Sequence, residues 1–284
     1  MLSYWPVGNI GKLSATKIST FEQCHKYYHF QYVLRAERSF TPVEWEVGTI
    51  VHDIAARLFG QIRDRHRRVI PKLGNATWYT PLLEQAVKGL EKQLKSGVVR
   101  IVREGQGVEP YARQAQSALA TLTEKVLPTL AGQKVLGIEA DLGDFTIGGV
   151  PFAGRLDLVT QSGGNIYVHD WKTGKRREED QRQARIYYFA SKHKYRGLAT
   201  RVSLYHLTEA GEIAEHYVFR DEELDGLHTE IRRLAEQMAS LKTYSARTSA
   251  LCHWCPYGPQ CEEGSAWMSD NPVSGQQPEL DLGI

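Results

Sequence analysis

The sequence predicts an α/β fold: a mixed sheet flanked by helices, preceded by a long helical block. Three observations carry that expectation. After Gly132, short runs rich in β-branched and aromatic residues alternate with glycine-rich or polar turns. One stretch of helical composition, residues 178–195, falls between the third and fourth of these runs, and a strand-helix-strand order favours a mixed sheet. Upstream, residues 63–133 are mostly helical in character.

Taken in order, residues 14–35 begin with hydroxyl side chains able to cap a helix and continue with apolar groups at helical spacing. They predict a short amphipathic helix containing Cys24. Pro42 and Gly48 interrupt the pattern, after which Ile50, Ile54 and Leu58 recur every four residues and predict a new helix, with His52 in about its first turn. Within the helical block, loops are marked at 71–74 and 105–110, and Leu119, Leu122 and Val126 form one stripe. The predicted strands are 135–142, 150–161, 165–171, 201–207 and 213–219, with a hairpin turn at Ser162-Gly163-Gly164-Asn165. A last helix is expected over 221–241, and residues 269–284 form a polar tail with little to bury.

With 42% hydrophobic and 24% charged positions in 284 residues, the chain has globular composition and can bury a sizeable core. Lysine and arginine total 35 against 33 acidic residues, so net charge neither demands nor excludes a nucleic-acid partner. No run of 18 apolar residues lacks a charge and Met1 precedes no secretory pattern; neither membrane insertion nor secretion is expected, and a cytoplasmic location is. Four cysteines in that compartment are poor candidates for disulfides.

The densest chemical signal is the hairpin over residues 154–172. Asp170 and Lys172 are two apart on a strand and share a face, and a hairpin partner can bring Asp157 alongside them. A lone Asp-x-Lys is ordinarily a solvated ion pair. Here the acids interrupt runs that look core-forming, where unpaired charge is costly. Two carboxylates on one face repel unless a cation lies between them, and oxygen ligands favour Mg²⁺ or Mn²⁺. The lysine can then hold a developing anion or orient water. Gln183 and Tyr187, four apart, share a helical face, as a surface Gln above a core Tyr also would.

These motifs, in their order, resemble the RecB-like nucleases of the PD-(D/E)xK superfamily, including CRISPR-associated and phage-encoded exonucleases with an iron-sulfur cluster. Gly48-Thr49-Ile50-Val51-His52 resembles the family's Gly-x-x-x-His segment, and Gly154-Arg155-Leu156-Asp157 its first acidic motif. Asp170-Trp171-Lys172-Thr173-Gly174 resembles the second, and Gln183-Ala184-Arg185-Ile186-Tyr187 the Gln-x-x-x-Tyr helix. The resemblance implies that His52, Asp157, Asp170 and the backbone carbonyl of Trp171 ligate a Mg²⁺ or Mn²⁺ ion. It also implies catalytic roles for Lys172, Asp157, Asp170, Gln183 and Tyr187. Glu139, at the start of the strand region, stands equally between a role at the site and a structural one.

Cys252, Cys255 and Cys261 lie in a compact turn-rich segment, with Cys24 far upstream as the fourth thiol. Spacing alone permits structural Zn²⁺ or a [4Fe-4S] cluster. The resemblance implies the cluster, as a clasp joining the two ends of the chain around a PD-(D/E)xK core. The organisation that follows is an N-terminal segment (1–47), a helical region with the metal-ligand His (48–134), the nuclease core (135–242), a cysteine segment (243–267) and a tail (268–284).

The expected function is a metal-dependent DNA exonuclease acting on single-stranded ends in recombination, repair or CRISPR-type processing. The alternatives are a catalytically silent nucleic-acid-binding or assembly module on this fold, and an RNA-directed or zinc-ribbon regulator. Lys175, Arg176 and Arg177 follow the active-site strand and are either phosphate contacts or a solvated turn, and the basic run 63–68 is read as a solvated helix face. In the tail, Leu280 and Leu282 after Gln276 and Gln277 resemble short peptides that dock on bacterial sliding clamps, against the reading of a plain disordered end.

Overall fold

The computed structural model describes residues 10–72, 78–103, 105–196, 200–208 and 213–273. Helix α1 (Ala15–Gln23) is capped by the Ser14 hydroxyl, which accepts from the Lys17 amide. It stops before Cys24, whose backbone is extended and whose sulfur caps α2 (His25–Tyr28) by accepting the Tyr27 amide; a π-helical turn, His29–Leu34, follows. The single helix expected over 14–35 is thus broken at its cysteine. Sulfur takes over the capping role, and the extended residue turns its side chain out of the helical stack.

Strand β1 (Thr41–Pro42) leads into α3 (Val43–Arg65), which runs through Gly48 where the sequence suggested an interruption. Ten of its residues are buried, among them Val47, Val51, Ile54 and Phe59. That burial outweighs a glycine cost of about 1 kcal/mol. His52 therefore sits in the third turn rather than the first. Helix α4 (Thr80–Ser96), strand β2 (Val99–Arg100) and helix α5 (Glu109–Thr121) complete the helical block, with π and 3₁₀ turns carrying the chain to Leu130. Strands β1 and β2 pair in parallel, a feature too short to show as a pattern.

Next come β3 (Lys134–Asp141), β4 (Phe145–Ile147), β5 (Val150–Phe152), β6 (Arg155–Ser162) and β7 (Asn165–Lys172). Then follow α6 (Glu178–Lys194), β8 (Thr200–His206), β9 (Ala214–Tyr217), α7 (Asp221–Ser240) and, after two 3₁₀ turns, α8 (Glu262–Asp270). The central sheet has the order β3-β6-β7-β8-β9, with β7 and β8 parallel and the other neighbours antiparallel. The α6 crossover is what makes the parallel pair possible. Gly163 and Gly164 take φ of 55° and 82°, the left-handed pair that a two-residue hairpin favours.

One expected strand is corrected. The run 150–161 is two strands: β5 pairs with the unforeseen β4, and β6 joins the main sheet. The chain changes sheets at Ala153 and Gly154, where a Cβ on residue 154 would meet the Leu142 side chain at 2.8 Å.

Apolar side chains fill both faces of the sheet. Ile18, Val159, Val168, Ala184, Val202 and Leu227 pack on the side of α1, α6 and α7. Val51, Phe59, Leu119, Leu158, Trp171 and Tyr205 pack on the side of α3 to α5. The result is a helix-sheet-helix sandwich. Among the described residues no helix is long and apolar enough to cross a membrane. The leucines read as a clamp-binding peptide, Leu280 and Leu282, lie outside the described residues.

Candidate active site and cysteine cluster

The β6–β7 ladder ends at the pair Leu158 and His169, one residue short of Asp157 and Asp170. Beyond it the Asp157 carboxylate replaces the missing ladder bond: its Oδ2 accepts the Trp171 amide at 2.8 Å. Both acids are buried, at 8% and 3% exposure. The strands part at the acids, which opens a notch between them.

From the α3 side, His52 Nε2–H donates to the Trp171 carbonyl at 3.0 Å, while Nδ1 lies 3.4 Å from Asp157 Oδ1. Burial alone would lower the imidazole pKa, but Asp157, with Asp170 and Glu139 behind it, raises it to about 9. From the β3 side, Glu139 is brought opposite Asp157 by a register that pairs Ile138 with Leu158 and Ala140 with Leu156. Its φ of 46° is left-handed, a conformation that costs a non-glycine residue on the order of 1 kcal/mol or more. Ligand atoms of His52, Glu139 and Asp157 lie within 4.8 Å of one another. Burial and the Asp157 charge raise the Glu139 carboxyl pKa. Burial likewise raises Asp170, to about 6, against the pull of Lys172.

The His52 imidazole, the Glu139 and Asp157 carboxylates and the Trp171 carbonyl form an oxygen-rich set suited to a hard divalent cation; Asp170, expected among the ligands, lies beside this set and pairs with Lys172. The raised pKa values of Glu139 and Asp170, caused first by burial and then by the neighbouring Asp157 charge, are a penalty that a bound cation would offset. The set fits such an ion.

Lys172 approaches from the other side of the acids. Its Nζ lies 2.9 Å from Asp170 Oδ2 and donates to Gln183 Oε1; Gln183 Nε2 in turn donates to the Tyr187 hydroxyl at 2.7 Å. Burial opposes the Lys172 charge, and Asp170 and Asp180 outweigh it and raise the ammonium pKa. Every residue singled out for this site in the sequence thus meets in one place. Glu139, left undecided between two roles, joins them. Asp180, three residues before Gln183 on α6, was missed; its spacing from Gln183 is the signal that places both on one helical face.

The basic turn after β7 is partly engaged. Arg176 pairs with Glu215 at 2.8 Å, and the Arg177 amide donates to Asp180 at the start of α6. Beside α6 runs a cleft of about 900 Å³ whose lining includes Arg38, Trp45, Arg177, Arg247 and Trp254. The Arg38 guanidinium lies 5.5 Å from the centre of the Trp45 ring. Trp45 is seven residues before His52 on α3, hence on the same helical face about 10 Å away.

Cys24, Cys252, Cys255 and Cys261 all line one small cavity of about 40 Å³. Backbone amides point at the sulfurs: Tyr27 and Arg247 at Cys24, Ser249 at Cys252, Tyr257 at Cys255 and Gly264 at Cys261. Cys24 and Cys261 also cap the N-termini of α2 and α8. Burial raises the thiol pKa of Cys252 and Cys261, and that of Cys255 to about 12, with neighbouring sulfurs adding to it at Cys252 and Cys255. Converging thiols with amide donors, and with Lys26 and Arg247 lining the same cavity, suit a metal centre, because thiolate ligation removes the burial penalty.

No curated protein matches the chain. The family model for the PD-(D/E)XK nuclease superfamily matches residues 12–262, which include both cysteine segments and every residue of the carboxylate-lysine site. On that match, and with a mixed sheet presenting paired acids and a lysine at the point where two strands part, the chain belongs to the PD-(D/E)XK nuclease superfamily, whose members are metal-dependent nucleases.

Proposed function

We propose that the protein is a metal-dependent DNA exonuclease acting on single-stranded ends. The observation that carries the hydrolytic reading is the joint presence of Asp157, Asp170 and Lys172, all largely buried and all hydrogen-bonded or ion-paired. A silent scaffold would have no use for three buried charges that cost stability. A divalent cation held by His52, Glu139, Asp157 and Asp170 would polarise the scissile phosphate and lower the pKa of a bound water.

The chain's own groups supply the rest. Lys172 is aimed by Asp170 and Gln183, so its ammonium can offset charge that develops on phosphate oxygens or orient the attacking water. Tyr187 holds the Gln183 amide in the orientation that leaves Oε1 toward the lysine. With Nε2–H donating to the Trp171 carbonyl, Nδ1, beside Asp157, is the His52 nitrogen left to face a cation.

The single-strand preference is supported by the cleft beside α6. Half-buried Trp45 offers a ring face for a base, and Arg38, Arg177 and Arg247, in a lining that also carries Glu22, Glu178, Glu179 and Glu230, offer charge for phosphates, the combination that sequence-tolerant single-strand binding uses. Action from ends, and a place in recombination, repair or CRISPR-type processing, rest on the family resemblance of the motifs. The cytoplasmic location and the clamp contact rest on sequence alone.

For the cysteines we infer a [4Fe-4S] cluster over zinc. That choice rests on the family resemblance of the motifs; a fourfold thiolate set by itself suits either centre.

Linear and covalently closed single-stranded circles of one sequence, incubated with protein and Mn²⁺, test the exonuclease. Mononucleotides or short products from the linear DNA and an intact circle are expected; linearised circles would make the enzyme an endonuclease.

A further inference from the structure

We propose that Asp180 is a positioning residue for Lys172, a second carboxylate that holds the lysine ammonium in place while Asp170 is engaged with the cation site. The inference rests on reading Lys172 as the catalytic lysine.

Among the described residues, Lys172 Nζ faces Asp170 Oδ2 at 2.9 Å, Gln183 Oε1 at 2.5 Å and Asp180 Oδ1 at 3.9 Å. They approach from two elements, Asp170 from β7 itself and the other two from the first turns of α6. Asp170 has two competing claims, since the same carboxylate belongs to the acidic set with Asp157. A carboxylate shared with a cation is a weaker anchor for an ammonium, because its charge is divided. Gln183 offers a dipole but no charge. Among the described residues, Asp180 is the second carboxylate within ion-pair distance of Nζ.

Its placement is built in. Asp180 is 7% exposed, and its other oxygen, Oδ2, accepts the Arg177 amide at 3.0 Å. That bond closes the N-terminus of α6, so one side chain both ends the helix and reaches the lysine. Pinned by the cap, Oδ1 has little freedom to swing toward solvent. The distance of 3.9 Å also has a use: the ammonium is held without being locked, which leaves it able to follow charge on a substrate oxygen.

The two roles separate by substitution. Asp180→Asn keeps an oxygen for the Arg177 amide and removes the charge; Asp180→Ala removes both. In single-turnover and steady-state DNA hydrolysis with Mn²⁺, Asp180→Asn is expected to lower kcat at least about tenfold with KM and the unfolding midpoint unchanged. Asp180→Ala should show the same kcat loss together with a lower midpoint from the lost cap. A wild-type kcat in Asp180→Asn, or a kcat loss matched by a loss of folded protein, would overturn the proposal.

A second readout needs no hydrolysis. In protein carrying ¹⁵N at lysine side chains, the Lys172 ammonium resonance, assigned by its loss in Lys172→Met, is expected to be protected from exchange and to broaden in Asp180→Asn. An unchanged resonance also overturns the positioning role. Absence of hydrolysis by the wild-type protein would defeat the nuclease reading, and the resonance would still decide whether Asp180 holds the lysine.

Discussion

Asp170 and Lys172 are adjacent on one face of β7 because a strand repeats every two residues, and that is why the pair was legible in the sequence. Asp157 was legible because a hairpin turn of known type sets its partner strand. Glu139 was only half legible: its side chain reaches the acids through a left-handed backbone that no local pattern announces. Asp180 was legible only as a residue sharing the helical face of Gln183, since its contact with Lys172 exists only once α6 has docked against β7. At this scale the site behaves as a graded chain from the ammonium outward. Lys172→Ala should abolish cleavage, by about a thousandfold or more, Gln183→Ala should cost about tenfold to a hundredfold, and Tyr187→Phe less than Gln183→Ala. All three should remain folded in circular dichroism. The order of kcat values checks the chain, and a Tyr187→Phe loss equal to that of Lys172→Ala would place Tyr187 in the chemistry rather than behind it.

Among the elements, the long strands of the main sheet were readable as β-branched and aromatic runs bounded by turns, and α6 by its helical composition, whereas the short strands β1, β2 and β4 were not. The breaks were not. Cys24 ends one helix and caps another through sulfur, and Gly154 moves the chain between sheets, both events decided by tertiary partners. One interior network shows how the sheet constrains a titratable group. The Thr160 hydroxyl donates to Gln133 Oε1 and accepts from His169 Nε2, leaving Nδ1 to face the Tyr205 hydroxyl. Full burial, with Arg201 and His216 nearby, lowers the His169 pKa from 6.5 to about 3. Between those two values the unfolded chain binds a proton that the folded chain refuses, so stability rises with pH across the window and is lost as pH falls through it. Denaturant unfolding at a series of pH values should give His169→Gln a shallower acid decline than wild type. The difference in slope should approach about 1.4 kcal/mol per pH unit near the middle of the window. Parallel curves would mean that His169 is protonated in the folded protein.

Across the whole molecule, Cys24 and the segment 252–261 meet at one cavity, and the charged contacts of α1 reach α6. Arg182 on α6 pairs with Glu22, two residues before Cys24, and with Glu230 on α7. Anaerobically prepared protein should be brown and carry about four iron and four sulfide per chain. Replacing any of Cys24, Cys252, Cys255 or Cys261 with Ser should bleach it and lower the unfolding midpoint, with activity lost as the fold is lost. Stoichiometric zinc without iron would favour the mononuclear site. Binding of single-stranded DNA should weaken steeply with salt, and Arg38→Ala with Trp45→Ala should raise Kd while sparing kcat. Class of chemistry was legible because it depends on a few residue types in order. Strand preference was not, because the cleft proposed to set it is assembled from segments more than two hundred residues apart.

The central claim is that Asp157, Asp170 and Lys172 form a metal-dependent hydrolytic site. End-labelled single- and double-stranded DNA, incubated with pure protein plus Mg²⁺ or Mn²⁺, with chelator, and with an Asp170→Ala control, tests it most directly. The account predicts digestion with either ion, faster on the single strand, and none with chelator or with Asp170→Ala. Digestion by Asp170→Ala at the wild-type rate, or digestion undiminished by chelator, would contradict it.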